Sequence, residues 1–382
     1  MVKKKDKFSM REISYKQYYN KVLGSWIGRI AGDFVGAPVE FMPYFDIKSK
    51  YGKITYFPEP INLSYVNDDE MYEICALIAL EKKGINLTSK DIAEEWINLL
   101  YKMNYTAEKV ALDNLRAGIW PPESGRFNNE YFDAIGAQMR ADIWGQITPG
   151  CPIMAKKYAE IDGCISHSGI GIEGEIFIAV LISQAFFEKN IQKNIQMALE
   201  FIPKKENSLY TQFVLKAMDI YSQFPENYTK GRRELIRFWN KVRKDLVKDT
   251  PINDLKRLSF LTEIKPDIHT PDVHVLPNIG IIILSLLYGA KNNVDPLGKS
   301  ICISAMMGLD TDCNCGNIGA ILGAQIGAKE IPQKWSDPLK DTFSTFVKGY
   351  EKWKITDLAR KVSEIGFKVI DEKCRNQIKI IK

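Results

Sequence analysis

Histidine is scarce in this chain: three in 382 residues, His167, His269 and His274. Neither a histidine nor a second cysteine pair lies at ligand spacing from Cys313-x-Cys315, which argues against a zinc site. Long apolar runs are missing too. The most apolar stretch, Ile279 to Tyr288, is too short to span a bilayer and reads as a buried core helix. The basic start, Met1 to Lys7, leads into no apolar run, so no secretory signal is expected. Charge of one sign is lacking as well. Lys and Arg total 52 against 47 Asp and Glu, a net +5, and this mild excess does not point to nucleic acid. The cysteines number seven, an odd count, and several sit in helix-like apolar stretches. That predicts free thiols in a reducing cytosol, hence a cytoplasmic protein, rather than a disulfide framework.

What is present is ordinary globular composition, 45% hydrophobic and 26% charged, in a chain long enough for a large core. Nearly every segment has helical periodicity and no alternating strand series occurs. The expected class is all-α, with 1–382 as a single compact multi-helix domain. Residues 188–265 are Lys-rich and amphipathic and read as outer helices. Residues 328–382 read as C-terminal helices, including one over 339–354 and one over 355–364, with a short strand at 378–381.

The chain is organised around Gly308-Leu309-Asp310-Thr311-Asp312-Cys313-Asn314-Cys315-Gly316. Apolar, small-residue segments flank it, and no Lys or Arg lies in it or beside it. Buried carboxylates must neutralise, find a cation or bind a metal. Oxygen donors select hard ions, so magnesium or manganese is favoured over zinc. The competing reading is that Asp310 or Asp312 caps the following helix. A second acidic site, Asn67-Asp68-Asp69-Glu70-Met71, also opens a helical pattern. One cap needs one Asp, and the adjacent pair repels itself, so a cation competes with the capping reading here too.

Earlier, a helix from Tyr18 to Ile30 carries Gly24 and Gly28, with Gly32 after it. Glycines four apart let another element approach closely, at some cost in helix stability. Pro38 stops the helix and leaves Glu40 on a loop, free to face a site or merely solvated. Gly136-Ala137-Gln138-Met139-Arg140 has a Gly, a helix start and an Arg, which can hold phosphate. An Arg on a helix is also often just paired or solvated. His167 lies in a small-residue turn and reads as either structural or functional.

Together these residues resemble the ADP-ribosylglycohydrolase family, over about Tyr18 to Gly327. The motifs, in order, are Gly24-x-x-x-Gly28-x-x-x-Gly32-Asp33-x-x-Gly36-Ala37-Pro38-x-Glu40, Asn67-Asp68-Asp69, Gly136 to Arg140, Ser166-His167, and Gly308 to Asp312. The resemblance implies an all-helical fold with a binuclear magnesium site, manganese being an alternative ion. Asp68, Asp69, Asp310 and Asp312 fall on its metal ligands, with Asn67 as a further ligand. Glu40 falls beside the metals and, with Asp69, is a candidate catalytic group. Gly136, Gln138, Arg140 and His167 fall at substrate positions, the glycine-rich stretch near a diphosphate. The implied activity is hydrolysis of a glycosidic bond at ribose C1 of an ADP-ribosylated protein or small molecule.

Two departures stand out. Asn67 replaces a usual Thr or Ser, and its carbonyl is still a hard ligand. Cys313 replaces another, and a thiol is a poor magnesium ligand. Two other readings share these residues: a hydrolase of another ribosyl or nucleoside compound, and a non-catalytic ADP-ribose-binding protein.

Overall fold

A computed structural model describes residues 10–381 apart from 271; the basic run Lys3, Lys4 and Lys5 lies outside them. The elements that position the site are helices α1 (Tyr15–Gly36), α2 (Asp69–Lys83), α3 (Thr106–Arg116), α4 (Ile170–Ala185), α5 (Tyr228–Asp249), α6 (Leu255–Phe260), α7 (Val275–Gly289), α8 (Pro296–Met307), α9 (Thr311–Ile326) and α10 (Ile355–Lys373). The described strands are few and short: β1 (Arg11–Ser14), β2 (Thr342–Ser344), β3 (Lys352–Lys354) and β4 (Ile378–Ile381). The fold is all-α, as expected.

The centre is the pairing of α1 with α9. A Cβ added at Gly28 would run into the carbonyl of Gly319, and one at Gly319 into that of Gly28. Gly24 meets Gly323 in the same way, Gly32 meets the Cys315 carbonyl, and Gly36 meets that of Thr311. One partner number rises by four as the other falls by four, so the helices run antiparallel with their backbones in contact. No side chain other than hydrogen fits between them. This register delivers the Asp310–Asp312 hinge to the C-terminal end of α1, beside Glu40. Around this pair, α7 is buried at every one of its positions and α4 at all but three.

Helix α1 starts earlier and ends later than its pattern suggests. Ser14 forms a capping box with Gln17 (Gln17 N to Ser14 Oγ, 3.2 Å), which satisfies end N–H groups before the glycine stripe begins. Pro38 sits inside a single 3₁₀ turn, Ala37–Val39, that follows.

Two expectations fail. Residues 339–354 do not form a helix. They form a small hairpin in which Phe343 pairs with Trp353 in antiparallel register. Their apolar residues Phe343, Phe346, Val347, Tyr350 and Trp353 have helical spacing, yet Gly349 at positive φ (82°) turns the chain back. Nor are all the cysteines free: Cys151 and Cys374 form a disulfide. It joins the residue before the helix Pro152–Gly163 to the residue after α10. The expected strand at 378–381 is present as β4 and pairs parallel to β1, Ile13 opposite Ile380. Among the described residues no helix is long and apolar enough to cross a membrane.

Candidate metal centre and active site

Most helices here that begin with an oxygen-bearing side chain use it. Thr88, Asn190, Ser208, Asn227, Asp254 and Asp295 all accept from a backbone N–H in the first turn of their helices. Asp68 before α2 and Asp310 before α9 do not. Asp310 is 3% exposed and Asp312 4%, and an oxygen of each, Oδ1, has no hydrogen-bond partner. Burying such groups is costly unless something pairs with them. The capping reading therefore fails for the two helices whose N-termini carry paired acids.

Their surroundings are fixed from several sides. Asn278 Oδ1 accepts from Asp310 N (3.3 Å) and from Asn314 Nδ2 (2.7 Å). Thr311 Oγ1 donates to the Gly36 carbonyl (2.8 Å), so its hydroxyl serves the α1–α9 contact. The Glu40 loop is tied to the hinge by Phe41 N donating to the Leu309 carbonyl (2.9 Å). Phe41 and Leu309 both hold positive φ, 55° and 75°, a backbone state that non-glycine residues adopt at a cost. The tie holds Glu40 against the two aspartates. Glu40, Asp310 and Asp312 offer oxygens within 4.8 Å of one another, as do Asp69, Asp312 and Cys313 with their ligand atoms.

One cation reaches the cluster from a distance in sequence. Arg29 of α1 is fully buried. Its Nη1 pairs with Asp69 Oδ2 (2.8 Å), its Nε with Asp142 Oδ2 (2.7 Å), and its Nη2 donates to the Met139 carbonyl. Asp33 (3.7 Å) and Glu73 (4.0 Å) stand near the same guanidinium. Thus one positive charge serves four carboxylates and none of those facing the cavity. Burial, then the charges of Asp312 and Asp69, pushes the Glu40 carboxyl up to about 9. Burial followed by Asp312 and Glu40 raises Asp310 well above its ordinary range. Asp68 and Asp69 are raised mainly by burial as well, with Arg29 opposing the rise at Asp69. Positive charge is what this group of side chains lacks, and its oxygens suit a hard divalent ion.

The acids form one wall of a cavity of about 570 Å³. Glu40, Asn67, Asp68, Asp310, Asp312 and Cys313 line it, with Glu108 and Gly136 beside them. The other walls are largely apolar: Phe41, Tyr65, Met103, Tyr105, Tyr131, Ile135 and Phe260. Such a mix of convergent polar groups and aromatic wall is typical of small-molecule sites.

A family model for ADP-ribosylglycohydrolases matches residues 14–368. The chain belongs to the ADP-ribosylglycohydrolase family. A solved structure described as an ADP-ribosylglycohydrolase-related protein complex shares the fold, with a TM-score of 0.57 at 15% identity over 92% of this chain and 99% of that one. An uncharacterized protein of Archaeoglobus fulgidus is 25% identical over 193 residues, 48% of this chain. The match spans 61% of that relative's length.

Against the family motifs, the structure brings Glu40, Asn67, Asp68, Asp310, Asp312 and Gly136 to one cavity, with Asp69 directly behind. Gln138, Arg140 and His167 stand behind the wall, all fully buried. Gln138 Oε1 accepts from the Tyr210 hydroxyl (2.7 Å). Arg140 is held by Glu108 Oε1 (2.7 Å), Asp162 Oδ2 (3.0 Å) and Ser166 Oγ (3.0 Å). His167 Nδ1 is 2.8 Å from Ser166 Oγ, and burial, then Arg140, lowers its pKa well below the usual imidazole value. Cys313 Sγ donates to Asp69 Oδ1 (3.3 Å), while Cys315 Sγ donates to the Ile301 carbonyl (3.3 Å). The two thiols thus serve different places.

Sequence reasoning missed Arg29 and Glu108. Arg29 had a usable signal: it is the lone charge between Lys21 and Asp33, inside a glycine-striped helix. Glu108, in the first turn of α3, reads as an ordinary helix-dipole acid.

Proposed function

We propose that this chain hydrolyses a glycosidic bond at ribose C1 of an ADP-ribosylated protein or small molecule, using two divalent ions, magnesium with manganese as the alternative. The observation that carries the reading is the convergence of two uncapped helix N-termini and Glu40 on one cavity, with buried oxygens left unpaired. Asp68, Asp69, Asp310 and Asp312 are the assigned ligands, with Asn67 supplementing them. Bound divalent ions would supply positive charge to substrate oxygens and lower the pKa of an attached water.

The protein's own groups divide the remaining work. C1–N or C1–O cleavage passes through an oxocarbenium-like state, needs a water on C1, and needs a proton for the leaving group. Glu40 is the proton-transfer group, and the Phe41–Leu309 tie sets its position. Without a cation its carboxyl keeps its proton at neutral pH; an opposite charge alongside favours the ionised form, which accepts a proton from water. Arg29 orients Asp69. Arg140, rather than reaching a diphosphate itself, orients Glu108 in the cavity wall. Gly136 makes room for the Glu108 carboxylate against the backbone, since a Cβ there would collide with it. The aromatic walls exclude water and offer faces for stacking.

Calorimetric titration of ADP-ribose, with magnesium and then with a chelator, tests the reading. Magnesium-dependent binding is expected, followed by turnover of one ADP-ribosylated acceptor among arginine, serine and nucleic acid. Magnesium binding with no ADP-ribose binding would assign the site to another ribosyl compound. Magnesium-dependent binding with no turnover of any acceptor would leave a binding protein.

A further inference from the structure

The chain's net charge of +5 is not spread evenly. Helix α5 contains eight basic and three acidic residues, so it alone carries as much net charge as the whole protein. Six of the cations, Lys230, Arg233, Arg237, Lys241, Lys244 and Lys248, are all exposed. Their spacing of three and four places them within about 80° of the helix circumference, along about 27 Å of its length. The opposite side of the helix, with Leu235, Ile236 and Trp239, is buried in the fold. Glu234 pairs with Arg237 and Asp245 with Lys248. Among the described residues, Arg233, Lys241 and Lys244 have no ion pair. A solvated helix needs no such segregation of sign, and it keeps like charges on one line at a cost.

A second observation lies at the ends of this stripe. The three most exposed large apolar residues described are Ile252 (88%), Val294 (88%) and Leu255 (73%). Ile252 and Leu255 follow directly after the C-terminal end of α5. Val294 belongs to the loop at its other end, where it shares a hollow with Tyr228, and Lys291 Nζ donates to the Pro225 carbonyl (2.9 Å). A cationic stripe bracketed by bare aliphatic side chains matches an anionic lipid surface: the cations meet headgroups and the aliphatics enter the acyl boundary. A nucleic-acid strand fits less well. The six stripe positions carry no aromatic residue for bases to stack on, and a phosphate backbone leaves Ile252 and Leu255 bare.

We propose that the outer face of α5, with Ile252, Leu255 and Val294, docks the protein on an anionic membrane surface. This surface is separate from the cavity and independent of what the cavity hydrolyses.

The test is co-sedimentation of the full chain with phosphatidylcholine vesicles, pure or containing about one-third phosphatidylserine. Binding to the anionic vesicles at least about tenfold tighter than to neutral ones is expected, weakening steeply as salt rises from about 0.1 to 0.5 M. The double variant Lys241→Glu/Lys244→Glu should lose about tenfold or more of that binding, and Ile252→Ser/Leu255→Ser a few-fold. Both should keep wild-type thermal unfolding and wild-type magnesium affinity. Should the glutamate pair disturb folding, Lys241→Gln/Lys244→Gln carries the same expectation at about half the loss in logarithmic terms. No binding to anionic vesicles at low salt, equal binding to both vesicle types, or unchanged binding by the charge variants would overturn the proposal. So would tight binding to a DNA duplex that the Ile252→Ser/Leu255→Ser variant retains, with no vesicle binding.

Discussion

Asp133 and Asp310 are both buried carboxylates, 2% and 3% exposed, and their fates are opposite. Asp133 receives both arms of Arg257 (2.5 and 2.6 Å), with His274 Nε2 at 3.3 Å. Burial alone would raise its pKa, but His274 and Arg257 hold it well below the usual carboxylate range. Asp310 has no cationic side chain, and burial with Asp312 and Glu40 drives it well above. Glu108 and Asp162 also have a cationic partner, Arg140, although burial still raises Glu108. Compensation is not uniform away from the cavity: both carboxylate oxygens of buried Glu175 lack a hydrogen-bond partner, and burial raises its pKa well above the ordinary value. At the cavity wall Glu108 has its arginine, whereas Glu40, Asp310 and Asp312 converge with no ion pair to a cationic side chain among the described residues.

The largest effect expected concerns turnover. Asp310→Ala should lose one ion and lower kcat by about a thousandfold or more, with the circular-dichroism spectrum unchanged; retained activity on the accepted substrate would break the metal assignment. The sign of the stability change distinguishes the two regions next. Asp133→Asn leaves Arg257 without its anion and should destabilise by about 3–5 kcal/mol in urea unfolding. Asp310→Asn, by contrast, should stabilise the chelated protein, because it removes a carboxylate that is ionised when unfolded and disfavoured in that form by burial. Equal destabilisation by both would erase the comparison.

Magnesium itself should stabilise the wild type by about 2.7 kcal/mol at a hundredfold excess over Kd, seen as a rising unfolding midpoint. A further effect is the pH slope without metal. Glu40 titrates at about 9 when folded and near its ordinary value when unfolded. Between those values the folded state holds the extra proton, so stability falls as pH rises from about 5 to 9, by up to about 1 kcal/mol per unit. Asp133 acts the other way: its contribution is present above its ordinary pKa and is lost as pH falls through its lowered folded value. Unfolding midpoints measured in chelator across that range should decline, and excess magnesium should flatten the decline.

Much of this arrangement was legible in the residue order, and what was not has physical reasons. The four-residue glycine spacing of α1 announces a close neighbour, but only the tertiary register reveals that neighbour as α9. Paired acids at two helix starts are ambiguous between caps and ligands until the caps are inspected. Arg29 and Asp69 lie forty positions apart, and nothing local in either names the other. Cys151 and Cys374 are separated by 223 residues, so an odd count of scattered thiols reads as reduced. The hairpin at Thr342–Lys354 shows apolar residues at helical spacing, and period alone cannot distinguish it from a helix. Arg140 reads as a ligand contact because an exposed guanidinium after a glycine suits phosphate; its burial among Glu108, Asp162 and Trp96 depends on three distant segments.

The most direct test of the central claim is a magnesium titration of thermal unfolding on wild type and Asp310→Asn side by side. The wild-type midpoint should start below that of the variant in chelator and climb with each decade of magnesium. The variant should start higher and climb less. Parallel curves, or a variant that begins lower and follows the wild type upward, would contradict the claim that these carboxylates are left unpaired for a metal.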